Sequence, residues 1–298
     1  MSPSSTSPGL LLALGSAGLY GLNIVYAGAA SLAGVPGSAL VVYRVLLMLL
    51  LVMGAAFLMR RSLRVAADER GSILVLGIAT ALVGICYLSS VAFIPVTVAS
   101  VVFYAYPSLI VLACPLVEGT RLTPRLLAVV GVALSGIILV VGPVFTGLDW
   151  RGLALALAAA AATAAQFFAA SRCRKTTTVA TVFWVHLIVL PTALVIGAVT
   201  DQLASPTALA LAPVAVAMTI GGYVVGFLFQ IAALVRLSAA AAGIAYCIEP
   251  VVSALASTVV LGETLGPVQI LGGALVLAAI VANILLERKT AAPLVPVD

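Results

Sequence analysis

A chain of 298 residues that is 64% hydrophobic and only 8% charged cannot be a water-soluble globular domain, in which about a quarter of residues are charged. Its net charge of +5 is scattered, and no loop carries the basic patch with interleaved aromatics that nucleic-acid binding needs. One histidine, four isolated cysteines and no GxxxxGK[ST] loop argue against a zinc site, a disulfide framework, an ATP-driven pump and a membrane enzyme, so neither cofactor nor metal is expected.

A spanning helix needs about 20 apolar residues. Ten such stretches follow one another, near 9–31, 38–59, 71–93, 97–117, 124–142, 150–171, 178–200, 212–235, 238–261 and 267–286. They predict an all-α integral membrane protein with short loops. No Lys or Arg precedes the first apolar run, which argues against a cleaved signal peptide. Twelve of the fourteen Lys and Arg fall on one face, at 60, 61, 64, 70, 121, 125, 172, 174, 175, 236, 288 and 289; the other face has Arg151 alone. By the positive-inside rule both termini are then cytoplasmic.

The spans repeat. A shift of 143 positions places Gly9 on Gly152, Asn23 on Gln166, Pro107 on Pro250, Gly119 on Gly262 and Pro124 on Pro267. Each copy holds five spans, over 1–142 and over 143–298 with a short cytoplasmic tail. An odd span count inverts the second copy, the build of secondary transporters.

Polar groups in the spans mark the candidate site, because a charge in hydrocarbon is costly. Glu249 lies about eleven residues into span nine, directly before Pro250, which removes a backbone donor. It reads as a substrate- or proton-binding carboxylate, or as a structural partner of Arg44 or His186. Span four carries Tyr106 before Pro107 in the mirror position, with Phe103 one turn earlier, as Tyr246 precedes Glu249. Both prolines are hinge candidates. Spans one and six present Tyr20 and Asn23 against Thr163 and Gln166; spans three and eight present Thr80, Gly84 and Tyr87 against Tyr223, Phe227 and Gln230. A shift of 142 also aligns Gly84 with Gly226, so that last register stays open.

Arg44 is close enough to the outer surface to reach water by snorkelling. His186 reads as a satisfied interior histidine or a proton relay. Gly131, Gly136, Gly272 and Gly273 mark spans five and ten as peripheral helices packing through small residues. Gly222 and Gly226 fit either close helix approach or a dimer face. The oligomeric state is left open, and a monomer is compatible with the sequence.

Residues 226–286 resemble the second repeat of EamA-type members of the drug/metabolite transporter superfamily. The matching pieces are Ala233-Leu234, Ser238 to Ala241, Glu249-Pro250, Gly262-Glu263 and Gly272-Gly273; Val91 to Val140 is similar but keeps fewer marks. Arg44 resembles an arginine the family carries early in span two. The resemblance implies two inverted five-helix repeats, with spans 1, 3, 4, 6, 8 and 9 around a cavity. It also implies a bacterial inner-membrane exporter, nearest to the aromatic amino-acid and methyl viologen exporters. The expected solute is an amino acid or related amphipathic metabolite, moved by alternating access. The alternative is a proton-coupled, polyspecific antiporter of drugs or organic cations.

Overall fold

The computed structural model describes residues 6–94, 96–119, 121–142, 149–201 and 203–290, and it is helical throughout. Its α-helices are α1 (Thr6–Leu32), α2 (Gly37–Leu58), α3 (Arg70–Ser90), α4 (Val96–Phe103), α5 (Tyr106–Glu118), α6 (Pro124–Val141), α7 (Trp150–Arg172), α8 (Thr178–Val199), α9 (Pro213–Leu234), α10 (Ala239–Tyr246), α11 (Ile248–Val260) and α12 (Pro267–Thr290). With α4–α5 and α10–α11 each taken as one broken span, nine spans among the described residues are long and apolar enough to cross a membrane. The expected tenth, α12, has a shorter apolar stretch, Pro267–Asn283. The side chains of Arg288 and Lys289, and the tail after 290, lie outside the described residues.

The two breaks follow from the prolines. Each lacks an N–H and so strips the donor from the carbonyl four residues earlier, at Phe103 and Tyr246. Those are the last residues of α4 and α10. Both broken spans then end on a left-handed glycine, Gly119 at φ 68° and Gly262 at φ 71°, a conformation that other residues adopt only at a cost. Side-chain oxygens cap the new starts: Thr123 accepts from Leu126 N, Thr177 from Ala180 N and Ser238 from Ala241 N, each at 3.2 Å.

Packing obeys the repeat. α1 lies along α9, and α3 along α7, so equivalent pairs form with the copies exchanged. A Cβ on Gly9 would meet Leu237 at 3.0 Å, and one on Gly152 would meet Ile94 at 2.8 Å; these are one contact under the 143 shift. Gly222 and Gly226 face Leu19 and Tyr20 of α1, which settles that pair as an internal crossing. Of the four glycines expected to pack spans five and ten, Gly136 and Gly272 do so. A Cβ on either would lie within 2.7 Å of the other's carbonyl oxygen, whereas Gly131 meets nothing within 4 Å and Gly273 meets only Val251 at 3.6 Å.

The Arg-rich loops form one face. Glu69 is buried there and accepts backbone N–H bonds from Arg174, Lys175 and Thr176, each at 2.7 Å. Lys175 also pairs with Asp68 at 2.5 Å, and the Trp184 Nε1–H donates to Leu63 O at 2.8 Å. The neighbouring Asp68 carboxylate raises the Lys175 pKa above its ordinary value. Gly9, near the start of α1, packs against Arg236 and Leu237 at the same face. Large apolar side chains point outward, Phe57 at 85% and Leu116 at 89% exposure, as lipid-facing residues do.

Removing the Glu69 carboxylate orphans three backbone donors, at about 1–3 kcal/mol each where buried. Glu69→Ala is therefore expected to lower the melting temperature and to speed tryptic cleavage after Arg174 and Lys175. Unchanged proteolysis would show that the loop is held by something else.

Candidate solute-binding cavity

A cavity of about 430 Å³ opens among the spans on the Arg-poor side of the broken helices. The two breaks put its most polar group in place. Glu249, 6% exposed, stands in the first turn of α11, just past the end of α10. Its Oε1 accepts from the Tyr104 hydroxyl and its Oε2 from Tyr106, both at 3.4 Å. Neither Arg44 nor His186 pairs with it: the two ion pairs among the described residues are Asp149–Arg151 and Asp68–Lys175.

A chain of hydrogen bonds crosses between the repeats beside the carboxylate. Tyr20 OH donates to Gln230 Oε1 at 2.8 Å, Gln230 Nε2 to Gln166 Oε1 at 3.1 Å, Gln166 Nε2 to Thr80 Oγ1 at 2.9 Å, and Thr80 to Leu76 O at 2.6 Å. It ties α1, α9, α7 and α3 together through side chains that would each be costly unpaired. Asn23 is turned to the Thr219 carbonyl. Tyr246 donates to Ser16 Oγ at 2.6 Å, and Ser16 to Gly226 O at 2.6 Å. Ser16 is thereby buried in the α1–α9 seam, while Tyr20, Asn23 and Ala27 of the same helix line the cavity.

Aromatic rings form the floor and walls. Tyr106, Phe167 and Tyr246 pack in series, tilted and then edge-on, with ring centroids 5.7 and 4.9 Å apart. Tyr20 lies 6.3 Å from both Tyr223 and Tyr246, and Phe103 contacts Tyr87 at 5.2 Å. Tyr223 and Phe227 are 5.9 Å apart. Offset and edge-on rings of this kind take up a flat apolar body well.

Every residue expected in the solute pathway lines this cavity: Tyr20, Asn23, Tyr87, Phe103, Tyr106, Gln166, Tyr223, Phe227, Gln230, Tyr246 and Glu249. Two aromatic lining residues escaped sequence reading, Tyr104 and Phe167. Tyr104 lies two positions, some 200° round a continuous helix, from Tyr106; only the break between α4 and α5 lets both hydroxyls reach Glu249. Phe167 adjoins Gln166 and lay off the polar face. The lining also includes residues of α2 and α8, among them Gly37, Arg44, Thr192 and Ile196. The expected ring of six spans is therefore widened by spans two and seven.

His186 is fully buried, and it does not line the cavity. Its Nδ1 lies 2.8 Å from the Val182 carbonyl and must donate there; Nε2 lies 3.0 Å from Tyr223 OH. Both ring nitrogens thus have a protein partner. Arg44 is half-buried in the cavity wall, with its guanidinium carbon 4.1 Å from the Tyr223 ring centroid.

The model of the EamA-like transporter family matches residues 7–142 and again residues 150–285. The chain belongs to the EamA-like transporter family. The two EamA-like segments lie 143 positions apart at both ends, the offset read from the sequence. Membership makes this a multi-pass membrane protein of a transporter class and places the cavity in a transporter. No curated protein matches the chain. Among solved structures, one titled "Crystal structure of protein" superposes with a TM-score of 0.81 at 21% identity, over 95% of this chain and 99% of that one. At that identity the likeness concerns the fold.

Proposed function

We propose that this EamA-like protein is a ten-span exporter of amino acids or related amphipathic metabolites, built of two inverted five-helix repeats that work by alternating access. One observation carries the reading: a buried carboxylate without a counter-ion among the described residues faces an aromatic cavity at the point where a span is broken. Such a group suits a solute ammonium. Tyr87, Phe103, Tyr106, Tyr223 and Tyr246 take the solute body; Asn23, Gln166 and Gln230 take its neutral polar groups. Pro107 and Pro250 supply the hinges, where α4–α5 and α10–α11 can bend without losing further hydrogen bonds.

The positive-inside rule makes the Arg-rich face cytoplasmic, with both termini on that side of a bacterial inner membrane. The cavity then faces outward in this arrangement, and on the inner side α5 packs against α10, where a Cβ on Gly243 would lie 3.2 Å from Ile110. Exchanging the roles of the copies gives the inward-facing form. The class of solute is tested by flux into proteoliposomes from a panel of amino acids and organic cations, with and without an imposed pH gradient. Accumulation of an amino acid above equilibrium under the gradient marks coupling, and equilibration alone marks facilitation. A protein that carries none of the panel would contradict the proposal.

The multidrug alternative keeps one supporting observation. A lone carboxylate among aromatics also suits an organic cation, and Glu249 would then exchange solute for a proton. The charge at Arg44 separates the two readings.

A further inference from the structure

Beside its carboxylate the cavity holds one fixed positive charge, and nothing among the described residues neutralises it. Arg44 lies seven residues into α2 from Gly37, about 10 Å along the helix. Its guanidinium carbon lies over the Tyr223 ring, 4.1 Å from the centroid. A cation–π contact is made through the ring's π face and uses none of the five guanidinium N–H donors as a hydrogen bond. The Nε is buried and has no hydrogen-bond partner. Glu249, the one carboxylate in the lining, is engaged by Tyr104 and Tyr106 instead. Tyr223 is itself fixed from behind, because its hydroxyl bonds His186 at 3.0 Å and the His186 ring is fully buried.

Resting on the transporter reading above, we propose that Arg44 is the anion-binding pole of the solute site, with Tyr223 as its platform and His186 as the positioning residue behind that platform. An intramembrane arginine held over an aromatic ring, with its Nε unpartnered and no ion pair among the described residues, is arranged to receive an acid from outside the protein. The planar fork of donors matches a carboxylate, which it can bind through two parallel bonds. The cavity then has two poles, Glu249 and Arg44, with the Tyr20 ring between Tyr223 and Tyr246 at 6.3 Å from each. A solute that uses both carries a cationic group, an anionic group and an apolar or aromatic body. That selects a zwitterion over a simple organic cation.

Three probes of one body test this: phenylalanine, phenethylamine, which lacks the carboxylate, and 3-phenylpropionate, which lacks the ammonium. Each is measured as a competitor and as a fluxed solute in proteoliposomes. Wild type is expected to prefer phenylalanine over either partner by about tenfold or more, the scale of a lost charge-assisted hydrogen bond. Arg44→Gln is expected to erase the preference over phenethylamine while keeping that over 3-phenylpropionate, and Arg44→Lys to keep part of both. If wild type carries phenethylamine as well as phenylalanine, the anion pole is wrong while the transporter reading stands. The same holds if the ratio is unmoved in Arg44→Gln. Should none of the three bind or cross, the solute class fails and the anion pole with it. The wild-type ratio decides even if the glutamine variant does not fold.

Discussion

Glu249→Gln is expected to reduce transport by at least about thirtyfold, the effect of removing about 2 kcal/mol or more of interaction with a buried charge. The substitution keeps the size of the side chain and one oxygen to accept from Tyr104 or Tyr106, so the packing of the α10–α11 break has no reason to change. Exchanging a buried carboxylate without a counter-ion for a neutral amide also removes a desolvation cost. The variant should therefore elute as wild type does and melt no earlier. Flux through Glu249→Gln in proteoliposomes is the reading that matters. Wild-type rates from a folded variant would take this carboxylate out of the mechanism and leave the cavity without its anchor for an ammonium.

The second large effect concerns the scaffold. Gly272→Leu places a Cβ 2.6 Å from the Gly136 carbonyl oxygen and 2.7 Å from both Leu139 Cβ and Val140 N. Two of these opponents are backbone atoms, which cannot rotate aside as a flexible side chain would. The α6–α12 crossing must open, at a cost of about 3 kcal/mol or more, the upper end of overpacking effects. The melting temperature in detergent is expected to fall by more than about 5 °C. Gly131→Leu, at an exposed position of α6 with nothing within 4 Å of the new Cβ, is the control and should be nearly neutral. Equal melting of the two variants would mean that α6 and α12 do not meet through these glycines.

Much of this was legible because a bilayer imposes strict periods on a sequence. Span lengths follow from its thickness, and the broken helices follow from Pro107 and Pro250, whose missing donors end α4 and α10 at Phe103 and Tyr246. The repeat showed in residue pairs such as Gly9 and Gly152, whose shared structural cause, contact with Leu237 and Ile94, appears only in three dimensions. Faces drawn on continuous helices found Tyr20, Asn23, Gln166 and Gln230. The same construction hid Tyr104, since the turn it assumes is absent at the break. Arg44 posed a different difficulty: its partner Tyr223 is far away in the chain, and no local pattern marks a guanidinium placed over a distant ring. Glu69 carried no signal at all. Its three acceptor bonds reach across the two copies to Arg174, Lys175 and Thr176, and no local period marks such a clasp.

The most direct measurement concerns whether the space beside Glu249 is wet. In a chain whose four cysteines are replaced by alanine, a cysteine at Thr192 would line the cavity wall, while one at Val195, 61% exposed on the outside of α8, would face lipid. A membrane-impermeant thiol reagent is applied from the side bearing Arg151. Fast modification at 192 and none at 195 is the expected result. Modification at 195 with 192 inert would place the aromatic face against acyl chains and contradict a solvent-filled chamber between the repeats.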